Sequence, residues 1–272
     1  MYKRILVPLD GSHFSEEIIP YAAGLAAIHG TELLLLRVID KASGRDEAAR
    51  YIDRVASAHG AQGKCLLAPG DVAQTVLQEF AHQPDTLLAM TSRGHSGLAE
   101  VVLGSVAQRI MRGAQKPVLM YHPLGKRPAA DSSVRLTRVI LPLDGSTLTE
   151  AIAADAARFA QWIGADLELV TALGDVSGAN VGEPSGGEMV SLESGYVRAK
   201  GSELGKQYGV EINWDVLHGD PTEAIIGHVG NRRDVILAMT TRRQDALEAT
   251  FLGSITAGCL RKAGVPVLMR LP

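Results

Sequence analysis

The chain has 272 residues, a formal net charge of −3, 46% hydrophobic residues and 21% charged ones. That length suffices for two domains with filled cores, and the composition excludes a globally disordered chain. Residues 1–130 carry 14 basic and 12 acidic side chains and residues 131–272 carry 13 and 18, so neither half has the basic excess of a nucleic-acid binder.

The start, MYKRILVPLDGS, enters a strand-like pattern at once, without the basic and apolar regions of a secretory leader. No apolar run approaches the roughly 20 residues of a membrane span. Cys65 and Cys259 stand in unrelated contexts without CxxC spacing, which suits apolar fillers in a reducing compartment. A cytoplasmic protein without membrane or nucleic-acid partners is expected.

In chain order, the runs near 3–9, 32–39, 62–68, 86–91 and 117–121 are apolar almost throughout and predict strands covered on both faces. Segments of helical period separate them. After the first strand, Ser15 is expected to cap a helix whose buried stripe is Ile18, Ile19, Ala22, Leu25 and Ala26. Pro20 should bend that helix, and His29-Gly30 should end it. Asp71 caps the third helix. The alternation βαβαβαβαβ predicts an α/β fold, an open parallel sheet with helices on both faces.

The second half repeats the first. RILVPLDGS at 4–12 returns as RVILPLDGS at 138–146, and TELLLLRV at 31–38 returns as ADLELVTA at 165–172. Farther on, GDVAQTVLQEF from Gly70 matches GDPTEAIIGHV from Gly219, and QKPVLMY from Gln115 matches GVPVLMR from Gly264. Asp220, the counterpart of Asp71, precedes Pro221 at the first helical position, where a missing N–H costs nothing. Such a repeat means two tandem domains, expected at 1–122 and 134–272 with a linker at 123–133. The second copy also carries an insertion at 174–188 whose Gly, Ser, Asn and Pro content suits a loop.

Ligands in such a sheet lie beyond the carboxyl ends of the strands, where strand order reverses. Three segments of the first copy end there. Asp10, in Pro8-Leu9-Asp10, can accept a hydrogen bond from a ribose hydroxyl or an exocyclic amine; an Asp-Gly pair also serves simply to turn the chain. Val38 ends the second strand, and its backbone could face a base. The third segment is Met90-Thr91, then Arg93-Gly94-His95, Gly97, and Gly104-Ser105-Val106. Its glycines allow amides to approach an anion, and Ser105 opens a helix as cap and phosphate donor. Neither a Walker sequence nor GxGxxG after the first strand is present.

The combination of RILVPLDGS, RVID at 37–40 and MTSRGHSGLAEVVLGSVAQRIMRGAQKPVLMY at 90–121 resembles the universal stress protein family, across nearly all of each half. The resemblance implies two Rossmann-like domains, each a five-stranded parallel sheet of order 3-2-1-4-5, paired through their last strands as an internal pseudo-dimer, with room for a further homodimer. It also implies adenine nucleotide at the segments above, ATP first with ADP and AMP as alternatives and Mg²⁺ as companion. Asp10 takes the adenosine side, Val38 the base, and Gly94, Gly104 and Ser105 the phosphates. The family's first phosphate-loop glycine is Thr91 here, whose hydroxyl could donate instead.

In the second copy Asp144, Gly253 and Ser254 remain, whereas Thr240 and Arg243 replace glycines. The first domain is therefore expected to bind nucleotide as a stress-response regulator or sensor, and the second to be a degenerate structural partner. No residue pair stands out as nucleophile and base, so slow ATP hydrolysis is the most that is expected. The competing reading is a nucleotide-free scaffold or interaction module, built on edge strands such as KPVLMY.

Overall fold

The computed structural model describes residues 2–68, 70–94, 103–125, 132–174, 186–241 and 252–271. The chain forms two compact units that divide between Leu136 and Thr137. The first runs β1 (Arg4–Leu9), α1 (His13–Glu16), α2 (Ile19–Ala26), β2 (Glu32–Ile39), α3 (Arg45–Ala58), β3 (Gln62–Leu67), α4 (Val72–His82), β4 (Thr86–Thr91), α5 (Ser105–Gly113) and β5 (Val118–Tyr121). Its strands pair in parallel in the order β3-β2-β1-β4-β5, with Arg4 beside both Glu32 and Thr86.

The second unit runs β6 (Arg138–Pro142), α6 (Thr147–Glu150), α7 (Ala153–Ile163), β7 (Asp166–Leu173), α8 (Gly186–Tyr208), β8 (Ile212–His218), α9 (Pro221–Val229), β9 (Val235–Thr240), α10 (Ser254–Lys262) and β10 (Val267–Arg270). Its order, β8-β7-β6-β9-β10, is again parallel throughout and repeats that of the first unit. Each sheet therefore has the expected order 3-2-1-4-5.

The apolar runs explain the sheet centres. Every residue of β4 and β9 is buried, because a parallel strand with helices on both faces meets no water. Each fully buried Leu or Ile there contributes roughly 1.5–3 kcal/mol. The run at 62–68 departs from the expectation. In β3, Gln62 and Gly63 are exposed and Leu67 is 43% exposed, since an edge strand has a neighbour on one side only. Cys259 fits its role as filler: it is fully buried, and burial, with Asp220 and Glu223 adding to it, pushes its thiol up to about 12.

Helix starts carry most of the differences from the sequence expectation. The single helix expected after β1 is two. Ser12, not Ser15, caps α1, its Oγ accepting from the Ser15 amide at 3.3 Å. Pro20 sits in the first turn of α2, so it bends nothing; that turn has no use for its missing N–H. Ile18, Ile19, Ala22 and Leu25 are buried as expected, whereas Ala26 is only half-buried. Asp71 and Asp220 do cap α4 and α9, accepting from Gln74 and from Thr222 and Glu223 respectively.

The expected linker, 123–133, is fastened to the first unit at its start, and Val134, expected to open the second domain, is fastened there too. The buried Glu17 carboxylate accepts from the amides of Leu124 (2.7 Å) and Gly125 (2.8 Å). Farther along, the Val134 amide donates to Pro20 O at 2.8 Å, and a Cβ on Gly24 would lie 1.9 Å from Val134 O. Of the insertion, residues 175–185 lie outside the described residues. Residues 186–188 are not loop: they open α8, which packs Val197 and Leu204 inward.

Candidate functional site

Strand order in the first unit reverses between β1 and β4, so their carboxyl ends diverge and leave a crevice. A cavity of about 140 Å³ lies there, and Pro8, Leu9, Asp10, Val38, Met90, Thr91, Arg93, Gly94, Gly104, Ser105 and Val106 all line it. These are the residues singled out in the sequence; His95 and Gly97 lie outside the described residues. Neighbours 80 or more positions apart in the chain therefore converge on one crevice.

Asp10 forms one wall. Its Oδ1 accepts from the Ser12 amide at 2.9 Å and from Ser12 Oγ at 2.6 Å, which turns the chain into α1. Its Oδ2 lies against Gly94, where a Cβ would sit 1.8 Å away. Gly94 is thus required by space and is not among the glycines with positive φ. Both readings of Asp10 are compatible with this geometry, because one oxygen makes the turn while the carboxylate still lines the crevice.

The opposite wall is the start of α5. Gly104 is its N-cap, without a side-chain cap bond, and the Gly104 amide donates to Ser92 O at 2.8 Å. Ser105 is the first helical residue, so the expectation that it caps the helix is corrected: the capping position falls one residue earlier. The amides of Ser105, Val106 and Ala107 have no backbone acceptor among the described residues. Free amides at the positive end of a helix favour an anion.

Two expected donors are already engaged. Thr91 Oγ1 donates to Arg93 O at 3.0 Å. The Arg93 guanidinium stands 5.5 Å over the Phe14 ring and donates to Pro123 O at 3.3 Å. Behind them, Ser92 Oγ and His122 Nδ1 form a buried pair at 2.8 Å.

Sequence reasoning missed Arg37. It lines the cavity, and its Nη1 donates to Leu9 O at 3.3 Å and to Val38 O at 3.4 Å, at the place where Val38 was expected to meet a base. The signal was visible: one charged residue interrupts the apolar run LLLLRVI at the strand end.

The second unit has a crevice at the corresponding place, and it is larger, about 350 Å³. Asp144, Gly253 and Ser254 line it, while Arg243 lies outside the described residues. Asp144 Oδ1 accepts from the Ser146 amide, Ser146 Oγ and Thr149 Oγ1 at 2.6–2.9 Å. Burial alone would raise this carboxyl, but the Ser146 and Thr149 hydroxyls hold it below its usual value. Gly253 caps α10 at φ 72°, unlike Gly104 at −68°.

Comparison with known proteins places these units. Among curated proteins, the chain is 26% identical over 140 residues to universal stress protein MJ0531 of Methanocaldococcus jannaschii, covering 44% of this chain and 82% of that one. It is 23% identical over 292 residues to a universal stress protein of Mycolicibacterium smegmatis, covering 98% and 97%. In fold it is similar to the crystal structure of a universal stress protein from Archaeoglobus fulgidus, with TM-score 0.69, 20% identity, and coverage of 100% and 99%. No helix among the described residues is long and apolar enough to cross a membrane. The model of the universal stress protein family matches residues 1–47, 41–122 and 136–270, and the chain belongs to that family, with two of its domains in tandem.

Proposed function

We propose that the first unit binds an adenine nucleotide, ATP with ADP and AMP as alternatives, as a stress-response regulator or sensor. The observation that carries this reading is the crevice between β1 and β4, with a carboxylate on one wall and, on the other, helix-start amides that have no acceptor among the described residues. A ligand with donors at one end and negative charge at the other complements those walls. Asp10 then receives the ribose or base donors, and the amides of Ser105 and Val106 receive phosphate oxygens. Asp10 is the one carboxylate among the described lining residues, so Mg²⁺ would be held by phosphate oxygens and water. The described Ser92–His122 pair is buried, and slow ATP hydrolysis is the most that this reading includes. The second unit is degenerate as a nucleotide site and serves as structural partner to the first.

The Gly104→Asp variant tests the reading. Gly104 has an ordinary φ, and an added Cβ would lie 3.7 Å from Arg93 Cα, so the fold should tolerate the change. A carboxylate at the helix start should weaken ATP by tenfold or more in calorimetric titration of the full chain, about 1.4 kcal/mol. Unchanged affinity, or an empty crevice in crystals soaked in millimolar ATP, would overturn it. The small cavity of the first unit favours one second reading, a nucleotide-free interaction module. Protein released from cells without adenine nucleotide and silent on titration would establish that reading instead.

A further inference from the structure

Arg37 stands on the partition between two cavities of the first unit. One is the crevice of about 140 Å³ at the ends of β1 and β4. The other, of about 570 Å³, lies between the β1–α1 turn and the start of α3, with Gly11, Asp40, Glu47 and Tyr51 on its walls. Arg37 and Asp10 line both. A Cβ on Gly11 would lie 3.6 Å from Arg37 Nη2, so the guanidinium runs along the turn that separates the two spaces.

Its present placement closes the crevice on the base side. The Arg37 guanidinium donates to Val38 O, the backbone that a base was expected to meet. The remaining volume falls below the roughly 300–1,000 Å³ usual for small-molecule sites. In the second unit Thr171 stands where the first has Arg37, and the crevice there measures about 350 Å³.

The guanidinium is also held lightly. Its bonds to Leu9 O and Val38 O are 3.3 and 3.4 Å long, beyond the roughly 2.7–3.2 Å of a firm N–H···O bond, and both acceptors are neutral carbonyls. The neighbouring cavity offers the carboxylates of Asp40 and Glu47 against one ammonium, that of Lys41. Asp40 and Glu47 are exposed, so water and salt weaken their pull on a cation. The two placements of the side chain therefore lie close in energy, and a ligand that needs the crevice can tip the balance.

We infer that Arg37 is a gate that sets the affinity of the first crevice: its guanidinium occupies the base side, and a nucleotide enters as the side chain swings into the neighbouring cavity toward Asp40 and Glu47. The gate rests on the nucleotide reading of that crevice. The apparent affinity of a gated site is its intrinsic affinity multiplied by the fraction of molecules with the gate open.

Arg37→Thr gives the first unit the residue that the second already has. In calorimetric titration of the full chain, this variant should bind ATP fivefold or more tighter than the wild type. Charge alone predicts the reverse, since the variant lacks a cation near a polyanion. The double variant Asp40→Asn/Glu47→Gln removes the groups that receive the displaced guanidinium and should weaken ATP threefold or more, again against the direction that charge predicts. Both its positions are exposed, so it carries the test should circular dichroism show Arg37→Thr to be misfolded. Crystals soaked in ATP should show the guanidinium within hydrogen-bond distance of Asp40 or Glu47. The gate is overturned if folded Arg37→Thr binds ATP no tighter than the wild type, if the double variant binds it as well as the wild type, or if Arg37 keeps its bonds to Leu9 O and Val38 O in the ATP complex. In each of those outcomes the wild type still binds ATP, and the nucleotide reading stands. ATP binding absent from wild type and Arg37→Thr alike overturns the nucleotide reading and the gate with it.

Discussion

Gly94 and Asp10 are a packing pair. A side chain at 94 would enter the space of Asp10 Oδ2, and overpacking of this kind costs about 1–3 kcal/mol. Gly94→Ala should destabilise the chain by that amount in urea and abolish nucleotide binding. Adding Asp10→Ala should restore stability but not binding; a double mutant no more stable than Gly94→Ala would contradict the pairing. At another residue, the Arg232 guanidinium and the Thr137 hydroxyl hold the Asp234 carboxyl down to about 2, against an ordinary value near 3.8. A depressed carboxyl contributes stability that is complete above its unfolded pKa and is lost as pH falls through the folded one. Wild type and Asp234→Asn should therefore differ in urea midpoint at pH 5 and converge as pH falls from about 4 to 2. A pH-independent difference would remove this assignment.

At the scale of elements, the starts of α5 and α10 look alike in sequence and differ in backbone. Gly253 has φ 72° and Gly104 φ −68°. An L-residue in the left-handed region costs roughly 1–2 kcal/mol, so Gly253→Ala should lower stability by about that much while Gly104→Ala stays near neutral. Equal effects in chemical denaturation would contradict the difference. The shared Leu-Gly-Ser gives no hint of it, because glycine permits both conformations. Caps at Asp71 and Asp220 were legible, since a carboxylate just ahead of a helical period has few other uses. Ser12 was not: Asp10-Gly11-Ser12-His13 offers several polar residues, and the capping one depends on where Asp10 folds back. Pro20 misled for a related reason, the helix boundary falling just before it. The exposure of β3 could be suspected from Gln62-Gly63-Lys64, but an edge is a property of neighbours and not of the strand.

At the scale of the molecule, the repeat made two units legible, the family resemblance implied their strand order, and the strand-end segments of the first crevice could be picked out with them. The different capacity of the two crevices was not, because it arises from side chains such as Arg37 whose reach along a strand end is a three-dimensional matter. Both tryptophans, Trp162 and Trp214, belong to the second unit, which separates the signals of the two. ATP at about 100 times its dissociation constant adds about 2.7 kcal/mol to the unit that binds it. It should therefore raise the unfolding midpoint followed by far-ultraviolet circular dichroism more than the midpoint followed by tryptophan emission. Equal shifts would contradict binding confined to the first unit.

The grip of Glu17 on Leu124 and Gly125, together with the seat of Val134 beside Gly24, turns an apparent spacer into a hoop with both feet on the first unit. Lengthening a hoop costs only the slow logarithmic rise of ring-closure entropy. Extra residues spliced between 126 and 131 would therefore fall between two anchors on the first unit, at a small cost in closure entropy.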